Sequence, residues 1–398
     1  MKYPDVTFEA FFSWSNRPRV MYSPGLRAEV GFEMGQLGGK KVVVFTDKGI
    51  VKAGVADMVI EEIKKSDLEL VGVFDNIVQD ARLDIINEGA KFYRKSGADC
   101  MVVIGGGSVM DSAKAVNIMI GGGHDDFKPL AEQAALYDDA KHLPPHIVFP
   151  TTAGTASEVT TAMVVLDTVE KVKIAVTHPF CNGDIAMLDP ELTVKLPQKI
   201  TAFTGMDALT HAVEGIVSTA AEPIADALGL HAIRLIFKYL PIAVHEPENV
   251  EARGNMLIAS NMAGMAFGNT MTGAVHATAH SLGGLYGIPH GLANGIMLPH
   301  VMAFNVEEVP ERFMMIADAM GVVVESMDAV KAGKMAVEAV KNLRKDVGLT
   351  ETLKDFKVAA EGDAFKTLIE HAASDSQISY NPRYVEEDDI RALYLKAM

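Results

Sequence analysis

Short apolar runs alternate with amphipathic stretches through the first half of the chain. The run at 42–45 in KKVVVFTDKG is brief, β-branched and closed by polar and glycine residues, which predicts a buried strand. GVADMVIEEIKK follows with helical periodicity, and LELVGVFD predicts a second strand. ARLDIINEGAKFYRKSGA predicts a helix that stops at Gly97, and DCMVVIGGGS a third strand running into a glycine loop. VMDSAKAVNIMI predicts a helix beginning near Val109, GGGH at 121–124 a surface loop, and PHIVFPTTAGTASEVT a strand followed by a polar loop. Alternation of this kind predicts a parallel sheet covered by helices on both faces. After about residue 190 strand-like runs become scarce and Ala, Met, Leu and Glu rise, which predicts a largely helical remainder. The expected organisation is an α/β domain over residues 1–189 followed by an all-α domain over 190–398, with the cleft between them as the default ligand site.

Composition narrows the function classes. The chain has 398 residues, enough for two domains, and 49% of them are hydrophobic, which is globular composition. A formal net charge of −16 argues against nucleic acid as a partner, because phosphate contacts need Lys and Arg patches. Two cysteines, Cys100 and Cys181, are too few for a disulfide framework and suit a reduced, cytoplasmic setting. The N-terminal stretch has no basic region followed by a long apolar run, so no signal peptide or anchor is expected; no apolar stretch is read as reaching the ~18–20 residues that span a bilayer, so no membrane partner is expected either.

Three polar segments carry candidate chemistry. VVIGGGSVMDSAKA places Gly106, Gly107 and Ser108 between an apolar strand and a helix start. Glycines there let backbone N–H groups approach a pyrophosphate, and the helix N-terminus adds partial positive charge. The same text also reads as a tight strand-to-helix turn without a ligand, and it is not the G-x-G-x-x-G fingerprint. Asp111, in the first helical turn, would repel a phosphate placed against it and so orders the loop or meets a sugar or the nicotinamide side. Asp47, just past a strand end, suits a ribose 2′-hydroxyl and hence NAD over NADP, or serves as a helix cap. PTTAGTASEVT gathers Thr151, Thr152 and Thr160 with other hydroxyl residues, which suits phosphate or amide recognition or a solvated loop.

The third segment is histidine-rich. Residues 271–300 hold four of the chain's twelve histidines: His276, His280, His290 and His300. His276 and His280 stand four apart, as do Asp207 and His211 in GMDALTHAVEG, so each pair shares a helix face. His290 falls in GIPHG, where Pro289 and Gly291 predict a turn. One carboxylate with two or three imidazoles suits Fe(II), Zn(II), Co(II) or Ni(II), and the lack of thiolates argues against a structural zinc cage. His300, His231 and His245 read as structural.

Together these motifs resemble the iron-containing, or group III, alcohol dehydrogenases over nearly the whole chain. TDKG at 46–49, IGGGSVMDSAKA at 104–115, PTTAGTASEVT at 150–160, GMDALTHAVEG at 205–215, HATAHSLGGLYGIPHGLANGIMLPH at 276–300 and NPR at 381–383 carry the resemblance in order. It implies a dehydroquinate synthase-like fold: an N-terminal dinucleotide-binding α/β domain with a parallel sheet, then a helical metal-binding domain. It implies Asp207, His211, His276 and His290 as ligands of one divalent metal, usually Fe(II) and in some members Zn(II). Gly106, Gly107 and Ser108 would then hold the NAD pyrophosphate with Thr151, Thr152 and Thr160 nearby. Lys173 would contact the cofactor, Phe267 would wall the substrate pocket, and His280 would line the nicotinamide side. A dimer or larger homo-oligomer is expected as well.

Two places depart from the family pattern. VQDARL, with Asp80, stands where many members have PNP, and Gln377 stands where many have a cysteine before NPR. The first touches the adenine contacts; the second suggests a more polar end to the substrate pocket. The expected activity is reversible hydride transfer between NAD(H) and a small primary alcohol or aldehyde, with the metal as Lewis acid and His280 as the proton path. The rival readings are a hydroxyacid–oxoacid transhydrogenase and a dehydroquinate synthase-like lyase, the latter disfavoured by the few Lys and Arg near the metal motifs.

Overall fold

Eight strands and fifteen helices follow one another in the computed structural model, which describes residues 11–136, 143–170 and 172–398. The strands are β1 (Arg19–Tyr22), β2 (Lys41–Asp47), β3 (Glu69–Ile77), β4 (Cys100–Gly105), β5 (His146–Pro150), β6 (Ala162–Asp167), β7 (Val172–Thr177) and β8 (Ile185–Leu188). Among them run α1 (Val30–Gln36), α2 (Lys48–Lys52), α3 (Val55–Lys65), α4 (Leu83–Ser96), α5 (Gly107–Gly122) and α6 (Lys128–Ala131). By contacts the chain forms two units. One is Asn16–Leu196 with Glu248–Leu257; the other is Pro197–Pro247 and Ile258–Met398 with residues 11–15.

In the first unit, six strands pair in the order β1-β8-β5-β4-β2-β3, all parallel. Strands β2, β4 and β5 are apolar on both faces because both faces are covered. Val43, Phe45, Met101, Val103 and Val148 join one core with residues of α4 and α5. Val42, Val44, Val102, Ile104, Ile147 and Phe149 alternate into the other, against α1 and α3. From β2 the chain passes to β3 on one side and then to β4 on the other. The sheet therefore has its switch point between β2 and β4, the position where such sheets bind ligands at the strands' carboxyl ends. Both Asp47 and the glycine loop leave from those ends.

Four elements escape the hydrophobic pattern: β1, β8 and the antiparallel pair β6–β7. Strands β1 and β8 have four residues each, too few for a periodic signal, and β6, whose residues alternate between half-buried and buried, reads AMVVLD with no matching alternation in its text. The GGGH segment is a helix end rather than a free loop. Gly123 caps α5 in the left-handed region at φ 73°, and the His124 N–H returns to Met119 O.

The second unit is helical: α7 (Gln198–Val217), α8 (Pro223–His245), the larger part of α9 (Val250–Thr270), α10 (Ala274–Tyr286), α11 (His290–Asn305), α12 (Pro310–Ala319), α13 (Ala329–Asp346), α14 (Gly362–Ser374) and α15 (Glu387–Lys396). Fifteen residues of α7 are buried, which explains its near-continuous apolar text. One expectation needs correction here. Helix α8 has the length and composition to cross a membrane, so the expectation that no apolar stretch is long enough does not hold there. Nine of its residues are buried, Asp226 among them, with Arg312 of α12 bonded to that carboxylate at 3.0 Å.

Candidate active site

Helices α7, α10 and α11 bring Asp207, His276 and His290 together. One donor atom from each lies within 4.8 Å of the other two. Asp207 Oδ1 is 3.4 Å from His290 Nε2 and 3.9 Å from His276 Nε2. The four-residue spacing in α7 places His211 beside them: its ring stacks on His276 at 4.6 Å and on Phe267 at 4.1 Å. His290 is the first residue of α11, with Pro289 as N-cap, rather than a turn residue. Gly291 is required beside it, because a Cβ there would clash with the Phe203 carbonyl oxygen of α7.

Two residues that sequence reasoning did not single out complete this cluster. The buried Glu214 carboxylate receives His276 Nδ1 at 2.5 Å and the Val275 N–H at 2.6 Å. That contact leaves His276 Nε2 to face Asp207 and His290, the outer-shell arrangement typical of a metal-binding imidazole. The signal was present: Asp207, His211 and Glu214 follow i, i+4, i+7 on one face of an apolar helix. Asn294, four residues after His290, donates to Asp207 Oδ1 at 2.7 Å and lies 3.2 Å from Nε2 of both His276 and His290. Burial pushes Glu214 up to about 7. Burial also works to raise Asp207, but the neighbouring His211, His290 and His276 outweigh it and hold the carboxyl below its ordinary value. The donor set is buried, all nitrogen and oxygen, and geometrically convergent, so it fits a divalent metal.

His280 belongs to the same cluster without joining the trio. Its ring stacks on His290 at 5.3 Å, and its Nδ1 meets Asp375 Oδ2 at 2.7 Å. Asp375 also accepts the Gln377 N–H at 2.9 Å, and the Gln377 Oε1 accepts from the Thr272 hydroxyl at 2.9 Å.

In the α/β unit the cofactor candidates divide. Gly106 and Gly107 pack the glycine loop onto the threonine loop so closely that a Cβ at Gly107 would lie 2.7 Å from Thr155 Cγ2. The buried hydroxyls of Thr151 and Thr152 have no partner among the described residues. Approaching backbone, a sixteen-residue helix starting at Gly107 and two unsatisfied hydroxyls fit a dinucleotide diphosphate. Ser108 and Lys173 meet around Asp80: Ser108 Oγ accepts the Asp80 N–H at 3.0 Å, and Lys173 Nζ lies 2.7 Å from Asp80 Oδ1. Asp47 caps α2, accepting from the N–H groups of Gly49 and Ile50 at 2.7 and 2.9 Å. Asp111 and Thr160 face inward. Asp111 accepts from Ser157 Oγ at 2.6 Å and from the Val164 N–H at 2.9 Å; Thr160 receives the buried Lys114 ammonium.

A doubly wound sheet with a glycine loop at its switch point, in one chain with a buried carboxylate–imidazole cluster, suits a metal-assisted dehydrogenase. Comparison with known proteins narrows the class. The family model described as iron-containing alcohol dehydrogenase matches residues 17–190, and that for the C-terminal part of the Fe-containing alcohol dehydrogenase family matches 201–398. The chain is 38% identical to the 1,3-propanediol dehydrogenase of Klebsiella pneumoniae over 378 residues, covering 94% of this chain and 96% of that protein. It is 34% identical to the NAD-dependent methanol dehydrogenase of Bacillus methanolicus, covering 96% and 98%. The crystal structure of a 1,3-propanediol oxidoreductase superposes with a TM-score of 0.92 at 36% identity, covering 98% and 100%. The chain belongs to the iron-containing alcohol dehydrogenase family. It is a metal-dependent alcohol dehydrogenase, and the transhydrogenase and lyase readings are not favoured.

Proposed function

We propose that the protein interconverts a small primary alcohol and its aldehyde with NAD(H), residues 1–189 binding the dinucleotide and 190–398 the metal. The convergence of Asp207, His276 and His290 carries this reading. Those three with His211 would hold Fe(II), or Zn(II), which when bound supplies Lewis acidity toward the substrate oxygen. Glu214 fixes the His276 ring so that Nε2 points inward. Phe267, stacked on His211, offers an apolar wall suited to a short carbon chain. His280, oriented by Asp375 through Nδ1, keeps Nε2 for the proton that leaves the alcohol.

In the α/β unit, Gly106, Gly107 and Ser108 would bind the diphosphate with Thr151, Thr152 and Lys173. Thr160 and Asp111 would shape the loop, and Asp47 would meet the adenine ribose through the carboxylate oxygen not spent on the cap. The acidic chain and its two buried cysteines support a cytoplasmic protein without a nucleic-acid or membrane partner. The family resemblance supports a homo-oligomer.

The test is NADH formation from a panel of short primary alcohols and diols, using protein stripped of metal and reloaded with Fe(II) or Zn(II). Metal-dependent NADH production with at least one alcohol is expected. NADH binding without turnover on any alcohol or metal would sink the proposal.

A further inference from the structure

The turn between β3 and α4 is held in an unusual conformation. Two consecutive non-glycine residues, Asp80 and Ala81, are left-handed, with φ of 71° and 43°. Such backbone is disfavoured for residues with a Cβ and persists where neighbours hold it. The neighbours here are specific. The Asp80 N–H donates to Ser108 Oγ, and the Asp80 carboxylate takes the Lys173 ammonium. The Leu166 N–H donates to Ala81 O at 3.2 Å, and Arg82 bridges to Leu166. Leu166 and Lys173 are cross-strand partners in the β6–β7 hairpin. One turn therefore ties the first residues of α5 to that hairpin, at the glycine loop.

This arrangement affects any anion that approaches the loop. Because Ser108 Oγ accepts from Asp80, its own O–H remains to donate outward. The Lys173 ammonium has three protons, and Asp80 engages one of them. The pair is open enough to meet a ligand, with side-chain exposures of 21% for Lys173 and 31% for Asp80. An arriving phosphate thus finds two placed donors and a carboxylate competing for one of them.

We propose that Asp80 is a brake on dinucleotide binding: its carboxylate holds the Lys173 ammonium beside the Ser108 hydroxyl and competes with the diphosphate for it, which keeps cofactor affinity down. The proposal rests on the reading of the glycine loop as the dinucleotide site. It assigns a role to a carboxylate at the position where the family pattern differs.

The test is fluorescence titration of NADH onto the full chain, which requires neither metal nor turnover. Asp80→Asn keeps the size and the tolerance of left-handed backbone while removing the charge. Its NADH Kd is expected to fall roughly tenfold at low salt, with the gap narrowing as salt rises. Asp80→Gly, which accepts this backbone without strain, is the second variant and should shift affinity in the same direction. Lys173→Met should weaken binding, and adding Asp80→Asn to it should then tighten nothing further. Unchanged or weaker NADH affinity in Asp80→Asn and Asp80→Gly, or tightening that survives without Lys173, overturns the proposal. Failure of the unaltered chain to bind NADH would remove the dinucleotide reading itself, a different result from an indifferent Asp80.

Discussion

Glu214 and His146 show how differently two buried titratable residues can be used. Glu214 is spent on one imidazole nitrogen and one backbone N–H. Glu214→Ala leaves His276 free to rotate, and metal affinity is expected to fall tenfold to hundredfold, roughly the range for outer-shell partners. Glu214→Gln, which retains an acceptor, should recover part of the loss; chelator competition on the purified protein measures both. His146, at the start of β5, is buried with neither ring nitrogen partnered among the described residues. Burial, and then Lys114, depress it to about 3. Above pH 6.5 the imidazole is neutral in both folded and unfolded chains. As pH falls from 6.5 toward 3, only the unfolded chain takes up the proton, so stability is lost at about 1.4 kcal/mol per pH unit. His300, lowered to about 4 by burial and nearby cations, acts in the same direction. Between pH 7 and 5, His146→Leu should therefore flatten the fall in urea-unfolding free energy by about 2 kcal/mol. A slope identical to that of the parent would show that His146 is not buried neutral.

At the scale of elements, the site depends on how closely α11 lies against α7. Gly291 permits that approach, and Asp207 and His290 sit on its two sides. Gly291→Ala must push the Phe203 carbonyl aside, at a cost of about 1–3 kcal/mol for overpacking. A lower thermal midpoint together with reduced metal retention is expected. Normal metal content at a lowered midpoint would mean that the ligands tolerate the shift. Helices α7 and α10 were legible from i, i+4 pairs, and β2, β4 and β5 from unbroken apolar runs. Strands β1 and β8 were not, because four residues set no period and their pairing partners lie far away in sequence: Arg19 pairs with Ile185. The β6–β7 hairpin was hidden because the TVEK that joins its strands carries no Gly, Pro, Asn or Asp turn signal.

Over the whole molecule, the candidate cofactor site and the candidate metal site belong to different units, so their ligands should stabilise different parts of the chain. A ligand at a hundred times its Kd contributes about 2.7 kcal/mol to the state that binds it. Hydrogen exchange should show NADH slowing amides around 47–50 and 105–111, while metal loading slows α7, α10 and the first turn of α11. A metal effect confined to the α/β unit would contradict the ligand assignment. Both ligands should also raise the thermal midpoint of the full chain.

Asp207, His211, His276 and His290 could be picked out from spacing and resemblance because helical periodicity is written locally. The same holds for the glycine loop, which needs only a strand before it and a helix after it. Glu214 as partner of His276, Asn294 as partner of Asp207, Asp375 as partner of His280, and Asp80 as partner of Lys173 are decided by the tertiary structure. The physical reason is range. Backbone propensity and period act over a few residues, whereas these hydrogen bonds span 62, 87, 95 and 93 residues and exist only once packing has brought the elements together.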